Sequence, residues 1–112
     1  MAGCIFCKIA AGEIPATIVK RGDGMLAFRD LNPQAPTHLL VIPTDHVPSL
    51  NDATDPRLLG SLLGFARDVA RETGIADKGY RVVLNTNPDG GQTVFHLHVH
   101  VLGGRPMTWP PG

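Results

Sequence analysis

The sequence predicts an α+β fold in which a mostly antiparallel sheet of about five strands carries one short and one long helix. Its length of 112 residues is typical of one domain, so we expect residues 1–112 to form a single domain. Short apolar segments alternate with turn residues, which indicates hairpin connections and disfavours a doubly wound parallel sheet. Only one segment has the apolar periodicity of a long helix.

The first elements are a short helix and a hairpin. Residues 4–11 are predicted to form the helix, which Gly12 stops. Residues 17–21 and 25–29 have strand character and flank a glycine-rich turn, so we expect them to pair. The prolines within residues 30–37 then indicate a loop.

A buried strand and the long helix follow. Residues 38–43 are predicted to form a strand covered on both faces, because the segment is almost wholly apolar. Asp55 and Pro56 are typical of a helix start, and Gly74 is typical of a helix end. The apolar residues between them recur at helical spacing and predict one buried stripe. They are Leu58, Leu59, Leu62, Leu63, Ala66, Val69 and Ala70.

The last two strands are predicted at residues 80–85 and 93–102, joined by a glycine-rich loop at 89–92. Within the final strand, His96, His98 and His100 occupy alternate positions, so we expect their rings on one face, about 6–7 Å apart. An exposed strand face does not require histidine. Neutral imidazole suits either a metal site or acid–base and nucleophilic chemistry, and this pattern alone leaves both open.

Neighbouring residues favour the binding of an anion such as phosphate. The glycines before the last strand allow main-chain N–H groups to approach a phosphate closely. Asn85, Thr93 and His38 add neutral hydrogen-bonding groups.

Composition limits the partners. Ten basic and ten acidic residues give no net charge, which argues against non-specific nucleic-acid binding. The longest apolar run falls far short of the roughly 20 residues of a membrane span, and the N-terminus lacks signal-peptide features. We therefore expect a soluble, cytoplasmic protein that binds neither nucleic acid nor membrane.

Residues 91–102, Gly-Gln-Thr-Val-Phe-His-Leu-His-Val-His-Val-Leu, resemble the signature of the histidine triad family. The tail at residues 103–112 is similar to that of the branch called histidine triad nucleotide-binding proteins. Further matching segments occur in the family's order at residues 5–9, 13–15, 27–38 and 41–43. The resemblance implies a homodimer with one ten-stranded sheet, and hydrolysis of adenosine or guanosine 5′-monophosphoramidates. We expect no cofactor for catalysis, because histidine and neutral donors can neutralise a monoanionic phosphoramidate.

The resemblance also implies roles for individual residues. His98 matches the nucleophile that takes up the nucleotidyl group, and His100 and His38 match supporting histidines around the phosphate. The main-chain carbonyl of His96 is a candidate to fix the reactive tautomer of His98. Trp109 matches a tail residue that shapes the site of the opposite subunit. The remaining matches are the phosphate-side residues Asn85, Gly91, Gln92 and Thr93, the ribose ligand Asp30, and the purine pocket Phe6, Ile9, Ile14, Phe28 and Leu31.

The two cysteines indicate a metal site. Cys4 and Cys7 stand three residues apart on the predicted helix and so share a face. No strand precedes them, which disfavours a thioredoxin-like redox motif. The resemblance implies a zinc site of Cys4, Cys7, His46 and His96, a complete tetrahedral set and therefore structural. The alternative is a pair of buried, metal-free cysteines.

Other functions stay open. Thr93 stands where many members of this branch carry serine, and threonine also occurs in dinucleoside polyphosphate hydrolases of the same family. The Gly-Gly-Arg…Trp-Pro-Pro-Gly ending argues against that second branch. A non-catalytic nucleotide-binding protein and a metal sensor or store are the alternatives from other classes. The leaving amine, the purine preference and the pathway are not given by the sequence.

Overall fold

A computed structural model describes residues 3–112. Five strands form one antiparallel sheet in the order β1-β2-β3-β5-β4, which confirms the predicted α+β class. The elements are α1 (Ile5–Ala10), β1 (Ile18–Gly22), β2 (Met25–Arg29), β3 (Thr37–Pro43), a 3₁₀ turn (Leu50–Asp52), α2 (Pro56–Glu72), β4 (Tyr80–Val83), α3 (Asn87–Gly90) and β5 (Val99–Gly103).

The sheet has a helix on each face, and its central strands are buried on both. In β2, Met25 and Ala27 pack in the cluster under α2, whereas Leu26 and Phe28 pack in the cluster beside α1. This alternation follows from the two-residue period of a strand. Two apolar layers therefore hold the middle of the sheet, and the histidines lie on the α1 side.

Helix α2 begins and ends as predicted. The side chain of Asp55 accepts a hydrogen bond from the main-chain N–H of Arg57 at 2.9 Å, and Gly74 adopts a left-handed conformation with φ of +80° just beyond the helix. With 17 residues it is the longest helix of residues 3–112, and none of the helices described there is both long and apolar enough to span a bilayer.

The predicted apolar stripe of α2 is wrong at one position. Leu63 is 53% exposed, and Phe65, which the prediction omitted, is buried. The face that meets the sheet runs through Leu62, Phe65 and Val69, at spacings of three and four residues. Leu63 lies beside this face, so its side chain reaches the solvent.

Two boundaries near the C-terminus also differ from the prediction. Strand β4 ends at Val83 instead of residue 85, and the predicted loop at 89–92 overlaps the short helix α3.

The predicted strand at 93–102 is wrong in its first half, because β5 begins only at Val99. Leu97 in this segment, and Gln92 just before it, bond instead to the chain that follows β3. The N–H of Leu97 donates to the Val47 carbonyl at 2.6 Å, and the side-chain amide of Gln92 donates to the Pro48 carbonyl at 2.8 Å. The histidine segment is therefore held outside the regular ladder of the sheet.

Gly103, at the end of β5, has no room for a side chain. An added Cβ would lie 2.8 Å from Cβ of the buried Ile75. We expect Gly103→Ala to lower the free energy of unfolding by about 1–3 kcal/mol, because a group so close to the backbone of Ile75 cannot move aside cheaply. Urea denaturation measures this.

Gly60 provides the matched control. It is exposed in α2, and an added Cβ meets nothing within 4 Å. Gly60→Ala should raise the free energy of unfolding by about 0.5–1 kcal/mol through helix propensity. Equal effects of the two substitutions would contradict the packing described for Gly103.

Candidate active site

His98 is held in one tautomer by its own chain. Its Nδ1 lies 2.7 Å from the main-chain oxygen of His96, and a carbonyl can only accept, so Nδ1 carries the proton. Nε2 is left with a free lone pair. Burial lowers the pKa of His98 below its ordinary value, although the His96 carbonyl acts in the opposite sense. His98 is therefore neutral at neutral pH, with a nucleophilic nitrogen available.

Two neighbouring rings fix the plane of His98. The ring of Phe6, from α1, meets it edge-on at 5.1 Å between centroids and 89° between planes. His100 lies 5.1 Å away on another side, closer than the 6–7 Å predicted for a regular strand. The spacing is shorter because His98 precedes β5 and does not follow its pleat.

His38 and His100 form a second pair, across neighbouring strands. Leu40 of β3 pairs with His100 of β5, which brings His38 onto the same face two residues away. Nε2 of His38 lies 3.0 Å from Nδ1 of His100, and Oδ2 of Asp30 lies 3.5 Å from the same His38 nitrogen.

Both rings of this pair are neutral at neutral pH. Burial, with the neighbouring rings of His98 and His38, lowers the pKa of His100 to about 4. Burial also lowers the pKa of His38, against the opposing effect of the Asp30 carboxylate. The side of the site near β3 is therefore built of uncharged hydrogen-bonding groups.

A cavity of about 250 Å³ opens beside these histidines. Its polar lining consists of Arg29, Asp30, Thr93, His98 and His100, and the remainder is mainly apolar. The predicted purine-pocket residues Phe6, Ile9, Ile14, Phe28 and Leu31 all line it, as does Thr93. A larger cavity of about 390 Å³ adjoins it, lined by Thr93 and Phe95 among others. It contains none of the paired histidines, so the smaller cavity is the candidate site.

Three predicted phosphate-side residues do not line this cavity. They are Asn85, Gly91 and Gln92. The amide group of Gln92 accepts from the N–H of Asn87 and donates to the carbonyls of Pro48 and Val94. In this geometry Gln92 fixes the loop before the histidines.

Cys4, Cys7, His46 and His96 form a separate cluster. One ligand atom from each lies within 4.8 Å of all the others. Sγ of Cys4 lies 3.3 Å from Nδ1 of His96, and Sγ of Cys7 lies 3.4 Å from Nδ1 of His46. Both thiols are free. Burial, with the neighbouring Cys4, raises the pKa of Cys7, so a metal would displace a thiol proton on binding.

The protonation of His96 fits a metal at this cluster. Its Nε2 lies 2.8 Å from the Pro43 carbonyl and must therefore carry the proton. Nδ1 is left with its lone pair directed to the two sulfurs. Two thiolates and two imidazoles form the Cys₂His₂ set typical of structural zinc.

Several contributors were absent from the sequence prediction. Pro43 and Gln34 act through main-chain atoms, and the N–H of Gln34 donates to Nδ1 of His38 at 3.0 Å. No residue type marks such a contact. Leu40 lines the cavity and was predictable, because it lies two residues after His38 on the same strand face. Trp109 is 82% exposed and does not line the cavity beside the histidines.

Comparison with known proteins gives a consistent result. The profile of the HIT domain family matches residues 11–107. The purine nucleoside phosphoramidase of Escherichia coli K12 is 50% identical over 105 residues, covering 92% of this chain and 88% of that protein. The 14 kDa zinc-binding protein of Zea mays is 53% identical over 112 residues, covering 96% and 87%. A HIT family hydrolase from Legionella pneumophila superposes with a TM-score of 0.94 at 54% identity, covering 98% and 100%.

Acid should destabilise this protein through its buried histidines. Between pH 4 and 6.5 the unfolded chain protonates His100 while the folded protein, with a pKa of about 4, does not. Stability therefore rises with pH across this window and is lost as the pH falls. We expect His100 alone to lower the free energy of unfolding by about 1–2 kcal/mol at pH 5, allowing for its partial exposure.

Urea denaturation at pH 5, 6 and 7 measures this cost. His38, His96 and His98 shift in the same direction, so His100→Asn should reduce the pH dependence without abolishing it. Parallel curves for the variant and the wild type would show that His100 is not the group responsible.

Proposed function

This chain belongs to the HIT domain family, and we propose from that membership that it hydrolyses the P–N bond of purine nucleoside 5′-monophosphoramidates. The products are a nucleoside monophosphate and an amine. The Escherichia coli relative is named for this activity. The observation that carries the proposal in this chain is the His98–His96 hydrogen bond of 2.7 Å, which leaves a nucleophilic nitrogen at the edge of the cavity.

In the first step, Nε2 of His98 attacks phosphorus and the P–N bond breaks. The departing nitrogen takes a proton from water and leaves as the amine, and the nucleotidyl group stays on His98. The His96 carbonyl stabilises the positive charge that develops on the ring, through the proton at Nδ1.

In the second step, water attacks the phosphorus and the P–Nε2 bond breaks. The nucleoside monophosphate leaves, the water releases the proton that the first step consumed, and His98 returns to its neutral form. These steps use side-chain and main-chain groups alone and assign no catalytic role to a metal.

The apolar and polar parts of the cavity match the two parts of a nucleotide, the base and the sugar phosphate. The apolar part, which includes Phe6, Ile9 and Phe28, suits a purine base. The carboxylate of Asp30 at its polar edge suits the ribose hydroxyls. The phosphate would then lie against His98 and His100, with the hydroxyl of Thr93 nearby.

We also propose that the protein acts as a cytoplasmic homodimer. Strand β4 is one of the two edges of the sheet, the other being β1, where Ile18 is 41% exposed. Val82 on this strand is 39% exposed, which is high for an apolar residue in a sheet. A second copy joined along β4 would give the ten-stranded sheet expected for this family.

His98→Ala should abolish turnover while leaving the cavity intact. We expect AMP release from adenosine 5′-phosphoramidate to fall at least about 1000-fold, because no other group takes over the nucleophile's role. Binding of AMP, measured by calorimetry, should change by less than about tenfold. Acid quench of the wild type should trap a protein species heavier by one adenylyl group.

Wild-type turnover in a folded His98→Ala protein would overturn the mechanism. If the wild type binds AMP but releases almost none from the phosphoramidate, a non-catalytic nucleotide-binding function or the dinucleoside polyphosphate branch replaces this proposal. Diadenosine tetraphosphate is then the next substrate to test.

We further propose that the Cys4–Cys7–His46–His96 cluster holds a structural zinc ion. The Zea mays relative is named as zinc-binding, and the lone pair of His96 Nδ1 already faces the two sulfurs. When bound, zinc would link α1 to the chain after β3 and to the segment before β5. Helix α1 carries Phe6, and the segment before β5 carries His98, so zinc would help to hold these two rings in contact.

Protein purified without chelator should therefore contain about one zinc per chain. Cys7→Ser should reduce this below about a tenth and lower the thermal midpoint, because a bound ligand stabilises only the folded state. His38→Asn, which alters a histidine outside the cluster, is the matched control and should retain the metal. Wild-type protein with less than about a tenth of an equivalent would contradict the proposal.

A further inference from the structure

The loop at residues 30–36 holds His38 through main-chain hydrogen bonds. The N–H of Asp30 donates to the main-chain oxygen of His38 at 3.0 Å, and the carboxylate of Asp30 accepts from the N–H of Asn32 at 2.8 Å. The N–H of Gln34 then donates to Nδ1 of His38 at 3.0 Å. The loop therefore closes on the ring of His38, two residues beyond its end.

The Gln34 contact determines where the protons of two histidines lie. A main-chain N–H can only donate, so Nδ1 of His38 accepts and the single proton of the neutral ring is on Nε2. That nitrogen lies 3.0 Å from Nδ1 of His100 and donates to it. The proton of neutral His100 must therefore be on its Nε2.

We propose that Arg105, by holding the loop at residues 30–36, sets this order of protons and so positions His100, whose contact with the phosphate belongs to the proposed function. The inference rests on the proposed function for its substrate. His100 lines the cavity beside His98, so its Nε2–H is available where charge develops on phosphorus-bound oxygen. Neutral His100 donates the hydrogen bond without giving up its proton.

The opposite order would harm the reaction. With Nδ1 of His38 protonated, Nε2 of His38 would accept from Nδ1 of His100, and Nε2 of His100 would present a lone pair to an anionic oxygen. The same reasoning disfavours a resident metal at Asp30, His38 and His100, although their ligand atoms lie within 4.8 Å of one another. The only nitrogen of His38 that faces that point carries a proton.

Arg105 holds the loop from the other side. Its Nε donates to the main-chain oxygen of Gln34 at 3.0 Å, and its Nη1 donates to the Pro106 carbonyl at 3.0 Å. Gly104 lies against the same loop, because a Cβ there would be 2.9 Å from Cβ of Pro36. Arg105 touches none of the cavity and is therefore a positioning residue, acting through the peptide groups of Gln34.

The test is to record which imidazole nitrogens carry protons in full-length protein labelled with ¹⁵N-histidine, by nuclear magnetic resonance. In the wild type we expect both His38 and His100 to carry the proton on Nε2. Arg105→Gln should raise the share of the Nδ1–H form of His100 about threefold to tenfold, the effect of losing one hydrogen bond. The kcat for phosphoramidate hydrolysis should fall only in proportion to the loss of the Nε2–H form of His100, so the two measurements should change together.

Two control variants make the test specific. Arg81 donates to the Thr108 carbonyl at 2.8 Å and so holds the same tail without touching the loop. Arg81→Gln should therefore leave the proton positions unchanged. Gln34→Ala keeps the main-chain N–H and should leave them unchanged as well. If Arg105→Gln does not fold, Arg105→Lys, which retains a cation but not the guanidinium Nε, replaces it.

An Nδ1–H form of His100 in the wild type overturns the inference, as does a spectrum of the Arg105 variant identical to that of Arg81→Gln. Because the proton positions are measured without substrate, the inference and the proposed function fail separately. Protein with the expected protons but no phosphoramidase activity contradicts only the proposed function. Active protein with the opposite order contradicts only this inference.

Discussion

The candidate site depends on one hydrogen bond, from Nδ1 of His98 to the main-chain carbonyl of His96. It fixes the tautomer of the proposed nucleophile and gives the developing positive charge a partner. The carbonyl is available because residues 93–98 do not pair in the sheet, and Leu97 bonds instead to Val47 in the chain that follows β3. The same displacement puts the ring of His96 against the two cysteines.

Much of the fold was predictable because its signals are local. The α2 caps, Asp55 and Gly74, are set by side-chain chemistry within a few residues, and the β1–β2 hairpin by its turn. The start of β5 was not predictable in this way. Residues 93–98 alternate as a strand does, yet the N–H of Leu97 donates to Val47, and the side chain of the preceding Gln92 donates to Pro48. Both partners are distant in sequence.

For the candidate site, the sequence indicated which histidines to consider and offered the His96 carbonyl as a partner of His98, but it did not give the proton positions of the other rings. Each neutral imidazole has one proton, and its position depends on a main-chain group elsewhere in the chain. These groups are the Pro43 carbonyl for His96, the His96 carbonyl for His98 and the Gln34 N–H for His38. No side-chain pattern reveals the contacts of Pro43 and Gln34, so the tautomers of His96 and His38 required the structure. The resemblance had already divided the histidines between the proposed zinc and phosphate sites.

The irregular segment before β5 limits how far the stability of this fold can be raised without disturbing the candidate site. Extending the ladder of β5 back through residues 93–98 would satisfy a local preference for strand and add main-chain pairing. It would also engage the His96 carbonyl and leave His98 free to change tautomer. Selection or design for stability alone would therefore favour a more regular sheet in which the proposed nucleophile is less well oriented, a trade-off located in six consecutive residues.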